Sequence, residues 1–198
     1  MRRAITHLKN ADPVLARIIE RVGPYRIEYR QPDFTALARA IVYQQLHGAA
    51  AGAIFRRVLA LAGNGRLTPQ AVLRIPARRW RAAGLSAAKA RYLRDLAQKT
   101  AASAIRFRQL PAMPDAEVIA TLTQVKGIGA WTAHMFLIFA LRRPDVLAVG
   151  DYGIRAAVRK AYGLPHLPKP GELEKIAAAW HPYCSVACWY LWRSWEAK

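Results

Sequence analysis

The stretch LTQVKGIGAWTAHMFLIFALRRPDVLAVGDYGIR, Leu122–Arg155, decides how the rest of the chain is read. Upstream of the glycines, Val118, Ile119, Leu122 and Val125 recur at helical spacing and mark one apolar stripe. Gly127 and Gly129 interrupt that pattern, with Lys126 beside them. GAWTAHMFLIFAL then resumes, apolar on nearly every side, which predicts a central, buried helix. A turn of this kind exposes backbone N–H groups at the start of the second helix, and such a site binds phosphate. It is equally an ordinary αα-hairpin in which glycines cap the first helix. Asp151 follows, an acid in a chain with few, just ahead of another helical stretch, YGIRAAVRKAYG. By position alone it is a helix N-cap.

The composition explains why a single acid draws notice. Among 198 residues, 31 are Lys or Arg and 12 are Asp or Glu, a formal charge of +19. A surplus of that size favours a polyanionic partner, nucleic acid or an anionic membrane surface. At 54% hydrophobic the chain can bury a real core. The start, MRRAITHLKN, has basic residues but no apolar run behind them, so no signal peptide is expected. The longest apolar run is too short to span a bilayer. The expectation is a cytoplasmic protein without a membrane partner.

Cys184 and Cys188 are the two cysteines, spaced i, i+4 in a helical stretch, a poor geometry for a disulfide. Two thiols alone build neither a zinc site nor an iron–sulfur cluster. The histidines, His7, His47, His134, His166 and His181, are scattered.

Working outward, nearly every segment has helical periodicity, and YRIEYRQP is the one stretch with extended character. Asp12, Asp33, Ser86 and Asp115 stand where N-caps belong, and Gly23 with Pro24 ends the helix that Asp12 starts. Glu172 and Glu174 fall in an exposed first turn. The architecture is all-α, with roughly ten helices by the spacing rules.

Five stretches, in order, carry a resemblance: AIVYQQLHGAAA, GLSAAKARYL, VKGIGAWTA, VGDYGIR and PYCSVACWYLWR. Together they resemble the helix–hairpin–helix (HhH-GPD) DNA glycosylase superfamily, and within it the 3-methyladenine DNA glycosylase II group, from about Asp33 to Trp192. The implied fold is two helical subdomains flanking an active-site cleft, about 36–141 carrying the hairpin and 1–35 with 142–198 forming the other. The chain is short for the form with an extra N-terminal β-rich domain and resembles the compact, all-helical form.

The resemblance also assigns residues. Asp151 falls at the catalytic aspartate. Trp131 and Trp192 fall at base-pocket walls, with Met135 and Tyr190 as neighbours. Lys126, Gly127, Gly129, Ala130 and Lys89 match DNA-binding positions, and Gln45 and Leu46 the side chains that fill the gap left by a flipped base, with Gln44 bracing that loop. The carbonyls of Thr123, Val125 and Ile128 match a structural Na or K site; no other cofactor is implied. The bifunctional members carry a lysine nucleophile where this chain has Trp131, and an indole cannot form a Schiff base. Cys184 replaces an arginine common in the family. The implied activity is monofunctional excision of alkylated purines of the 3-methyladenine and 7-methylguanine type from double-stranded DNA, by a monomer, in base excision repair. The alternatives are a glycosylase of the same fold for deaminated or mismatched bases and a non-catalytic DNA-binding module.

Overall fold

Side-chain caps set the helix starts. In the computed structural model, which describes residues 1–46, 48–63 and 65–196, the described residues contain twelve α-helices and no strand. They are α1 (Arg2–Ala11), α2 (Pro13–Val22), α3 (Phe34–Tyr43), α4 (Gly48–Leu61), α5 (Pro69–Arg74), α6 (Ala77–Ala82), α7 (Ala87–Ala101), α8 (Asp115–Thr123), α9 (Ala130–Phe139), α10 (Tyr152–Tyr162), α11 (Pro170–Ala177) and α12 (Cys184–Glu196).

The caps at Asp12, Asp33 and Ser86 form as expected: their side chains accept from Val14 and Leu15, from Ala36, and from Lys89. Asp115 does not. It is the first residue of α8, and the cap position belongs to Pro114. An acid in the first turn still favours the helix through its dipole. Glu172 accepts the Lys169 N–H at 2.6 Å and so satisfies a backbone donor at the start of α11.

YRIEYRQP forms no strand. Aromatic packing holds its start instead: the Tyr25 ring lies 4.7 Å from Trp189 and 6.0 Å from Tyr190.

The chain divides into two compact units. One comprises Met1–Tyr29 with Leu137–Lys198, the other Arg30–Phe136. In the first, α12 packs against α10, α2 and α1. Leu8, Leu15, Ile154, Leu173, Trp180 and Leu191 fill its centre, each fully buried. Each such side chain stabilises the fold by about 1.5–3 kcal/mol. Asp12 is buried there too, and burial opposes its charge. Hydrogen bonds from Trp180, Tyr162 and the Leu15 and Val14 N–H groups outweigh that and hold its pKa below the usual value. Cys184 and Cys188 are buried, free thiols in the same unit. Burial pushes the Cys188 thiol up to about 12, so it packs as an apolar group.

In the second unit α7 is the hub, touching α3, α5 and α6. Leu37, Ile41, Val58, Leu93, Leu96 and Leu122 are buried around it.

Candidate active site

The hairpin between α8 and α9 depends on one glycine rather than two. Gly127 has φ +79°, a conformation that other residues rarely adopt. A Cβ there would also lie 2.2 Å from a ring carbon of Tyr92, on α7. Gly129 has open space around it. The turn is pinned from two sides. Gln44 Nε2 donates to the Gly127 carbonyl at 2.8 Å, and the Asp95 carboxylate accepts the Lys126 N–H at 2.8 Å. Asp95 is also bound by the Lys99 ammonium at 2.7 Å. Gly129 caps α9, its carbonyl accepting from Ala133. Ala130 therefore opens a helix whose N-terminal end carries partial positive charge. Lys126 is exposed beside it. A positive helix end next to an ammonium is a site for phosphate.

Lys89 has another job. Its ammonium donates to the Val42 carbonyl at 2.8 Å and to the Gln44 carbonyl. Desolvation lowers its pKa. It ties down the end of α3 instead of reaching for phosphate, a correction to its expected role. The loop it braces carries Gln45 and Leu46. Gln45 adopts φ +54° although it is not glycine, and Leu46 is 38% exposed. A strained residue beside an outward-facing leucine is suited to wedging between bases. His47, next in the loop, lies outside the described residues.

The expected burial of α9 holds for Ala133, Phe136, Leu137 and Ile138 but fails at its start, where Trp131 is 45% exposed. Met135 is half-buried one turn further on, on the same helix face. Thr123, Val125 and Ile128 surround the turn, and the Val125 carbonyl already accepts the Ile128 N–H at 3.0 Å.

The second cluster lies in the other unit. Asp151 caps α10, and its Oδ1 accepts the Ile154 N–H at 2.8 Å. The same oxygen accepts Trp192 Nε1–H at 2.9 Å. Asp151 is only 8% exposed. Trp192 in turn stacks on Phe139 of α9, ring centroids 5.7 Å apart and planes 26° apart. Gly153 leaves room for both: a Cβ there would meet Asp151 Oδ1 at 3.2 Å and Trp192 Cδ1 at 3.3 Å. The helix cap and the reactive-looking acid are thus the same group, held by a backbone N–H and an indole.

Tyr190 does not share this setting. It is 1% exposed, and its hydroxyl donates to the Gly23 carbonyl at 3.1 Å while Tyr25 and Trp189 cover its ring. It is a core residue, not a pocket wall, because on α12 it points away from the face that carries Trp192. Nothing in the sequence signalled the Trp192–Asp151 bond, which joins residues 41 positions apart, or the roles of Tyr92 and Asp95 under the hairpin. Arg78, Arg79, Arg81, Arg91, Arg94 and Arg142 are exposed, while Arg143 is half-buried.

A pinned glycine hairpin with a cationic rim, and an anchored acid at the head of a later helix, define a helix–hairpin–helix protein equipped to grip DNA. The family model described as HhH-GPD superfamily base excision DNA repair protein matches residues 38–182, and the chain belongs to that family. DNA-3-methyladenine glycosylase 1 of Schizosaccharomyces pombe is 36% identical over 198 residues, covering 97% of this chain and 86% of its own length. A structure of the 3-methyladenine DNA glycosylase of that yeast in complex with abasic DNA has TM-score 0.87, covering 96% of this chain and 95% of that one. A DNA-3-methyladenine glycosidase from Bacillus halodurans also has TM-score 0.87, at 35% identity, covering 98% and 89% of the two chains. No helix among the described residues is long and apolar enough to cross a membrane.

Proposed function

We propose that the protein is a monofunctional DNA glycosylase that removes alkylated purines from double-stranded DNA in base excision repair. The observation that carries this is the Asp151 carboxylate, preset by Ile154 N–H and Trp192 Nε1–H at 2.8 and 2.9 Å. Asp12 is anchored in the same way and serves the fold, so what sets Asp151 apart is its place at the head of α10 within the segment that the family model matches, residues 38–182. The relatives' names support the lesion class.

The reaction breaks the bond between C1′ and the purine nitrogen. The bonding electrons leave with the base, and the sugar gains oxocarbenium character. Asp151 stabilises that charge and orients the water that adds to C1′. The water's proton is lost, and free base and an abasic site remain. An alkylated purine is already cationic, so its departure needs no second acid. Trp131 is suited to stacking on an electron-poor ring. Lys126 and the N–H groups of Gly127, Gly129 and Ala130 contact phosphate, and Gln45 and Leu46 fill the gap in the duplex. A monovalent cation at the Thr123, Val125 and Ile128 carbonyls would stiffen the hairpin. The enzyme acts as a monomer beside the chromosome in the cytoplasm.

Incubation with methylated duplex DNA, followed by identification of the released bases, tests the reading. Release of 3-methyladenine or 7-methylguanine supports it. Release only of deaminated or mismatched bases, or none, overturns it. Borohydride should trap no covalent enzyme–DNA adduct, since Trp131 stands where a lysine would be needed.

A further inference from the structure

One cluster of metal-binding side chains belongs to neither group above. Asp145 lies in the segment between α9 and α10, His181 just before α12, and Cys184 is the first residue of α12. His181 Nδ1 is 2.7 Å from Asp145 Oδ2 and 3.6 Å from Cys184 Sγ. One donor atom from each of the three lies within 4.8 Å of the others. The other carboxylate oxygen, Oδ1, accepts the Cys184 N–H at 3.1 Å, which aims Oδ2 at the imidazole.

A histidine–aspartate pair alone is common on a protein surface. The Cys184 thiol converges on the same imidazole nitrogen and also bonds the Asp145 carboxylate, and hydrogen bonds of this kind are weak for a thiol. Sulfur, imidazole nitrogen and carboxylate oxygen are, however, the ligand types of a borderline-soft divalent ion. With Zn–S about 2.3 Å and Zn–N about 2.0 Å, a tetrahedral site places sulfur and nitrogen about 3.5 Å apart. The observed 3.6 Å matches. The nitrogen–oxygen separation of 2.7 Å has to open by roughly 0.5 Å to reach the corresponding edge. The buried thiol faces inward, and the His181 side chain is 54% exposed, so solvent reaches the cluster from that side.

We propose that Asp145, His181 and Cys184 bind one zinc-type divalent ion, with a water molecule as the fourth ligand. The thiol gives up its proton to solvent as the metal–sulfur bond forms, and the imidazole binds through Nδ1 in its neutral form. The ion is structural. It ties the segment that ends at Asp151 to the first turn of α12, the helix that carries Trp192. That junction is already laced by the Ser185 N–H to the Pro144 carbonyl and the Val146 N–H to Ser185 Oγ, each 3.0 Å.

The test uses the full chain, stripped with a chelator and then titrated with zinc chloride against a chromophoric competitor. One zinc per chain is expected, with a rise in melting temperature. His181→Asn and Cys184→Ser should each weaken binding by about tenfold or more, since even partners behind the ligands are worth about 10–100-fold. Cys188→Ser, whose Sγ lies toward the Val146 carbonyl, should not. Cobalt should give a thiolate charge-transfer band that Cys184→Ser abolishes. Substoichiometric zinc, no cobalt–thiolate band, or affinity unchanged in His181→Asn overturns the proposal. If Cys184→Ser does not fold, His181→Asn decides alone, because its side chain is half outside the fold. None of these readouts depends on base excision.

Discussion

Trp192 Nε1 donates to Asp151 Oδ1 at 2.9 Å, and the acid that starts α10 is therefore oriented by an indole from α12. Trp192→Phe keeps a ring to stack on Phe139 but removes the donor. Base release should fall about tenfold, roughly 1.4 kcal/mol of barrier, with DNA binding retained. Single-turnover release assays check it, and an unchanged rate would show that the indole merely packs.

Asp151→Asn keeps a competent N-cap, since Asn and Asp cap about equally well. The fold should persist, as read by circular dichroism. Release should drop by on the order of 10²–10³, the usual effect of losing one preset electrostatic group. Near-normal release from this variant would move the chemistry elsewhere.

Gly153→Ala addresses the same contact through packing. Its methyl would press on Asp151 Oδ1 and Trp192 Cδ1 at 3.2 and 3.3 Å. Both must shift by a few tenths of an ångström, so excision should fall while the melting temperature changes little. A large stability loss with normal excision would contradict this.

The two hairpin glycines should behave differently. Gly127→Ala meets both a positive φ and the Tyr92 ring, and should destabilise by about 1–3 kcal/mol in urea unfolding. Gly129→Ala has open space and should be close to neutral. In the same turn, Lys126→Ala should weaken binding to every duplex and lower the salt slope by about one.

Acid should destabilise the fold through Asp12 and Asp95. Burial raises both pKa values, but hydrogen bonds outweigh it: those from Trp180 and Tyr162 on Asp12, and that from Lys99 on Asp95. Both end below the usual 3.8. The unfolded chain then binds protons first, so these contributions are complete above that value and disappear as pH falls through the folded pKa values. Urea midpoints should be flat from neutral to about pH 5 and then decline. The decline should be shallower in Asp12→Asn.

The hairpin and the acid were legible because each leaves a local mark: glycines against an apolar helical pattern, and an acid ahead of the next helix. Helix starts at Asp12, Asp33 and Ser86 were legible for the same reason. What the sequence hid was long-range. Lys89 looks like any basic helix residue, and only the fold brings the carbonyls of Val42 and Gln44 to it. Tyr190 and Trp192 stand two apart, and helix rotation sends one into the core and the other to Asp151. His181 and Asp145 are separated by 36 residues, so nothing local joins them.

The double anchoring of Asp151 also bears on disorder. A surface carboxylate samples several rotamers and must lose that freedom whenever it meets a substrate, about 0.5–1.5 kcal/mol for an immobilised side chain. Here that freedom is already gone when α10 folds, because Oδ1 accepts both from the first turn of that helix and from the Trp192 indole. The geometry of the anion is inherited from the backbone, and DNA arriving at the site has nothing left to order there.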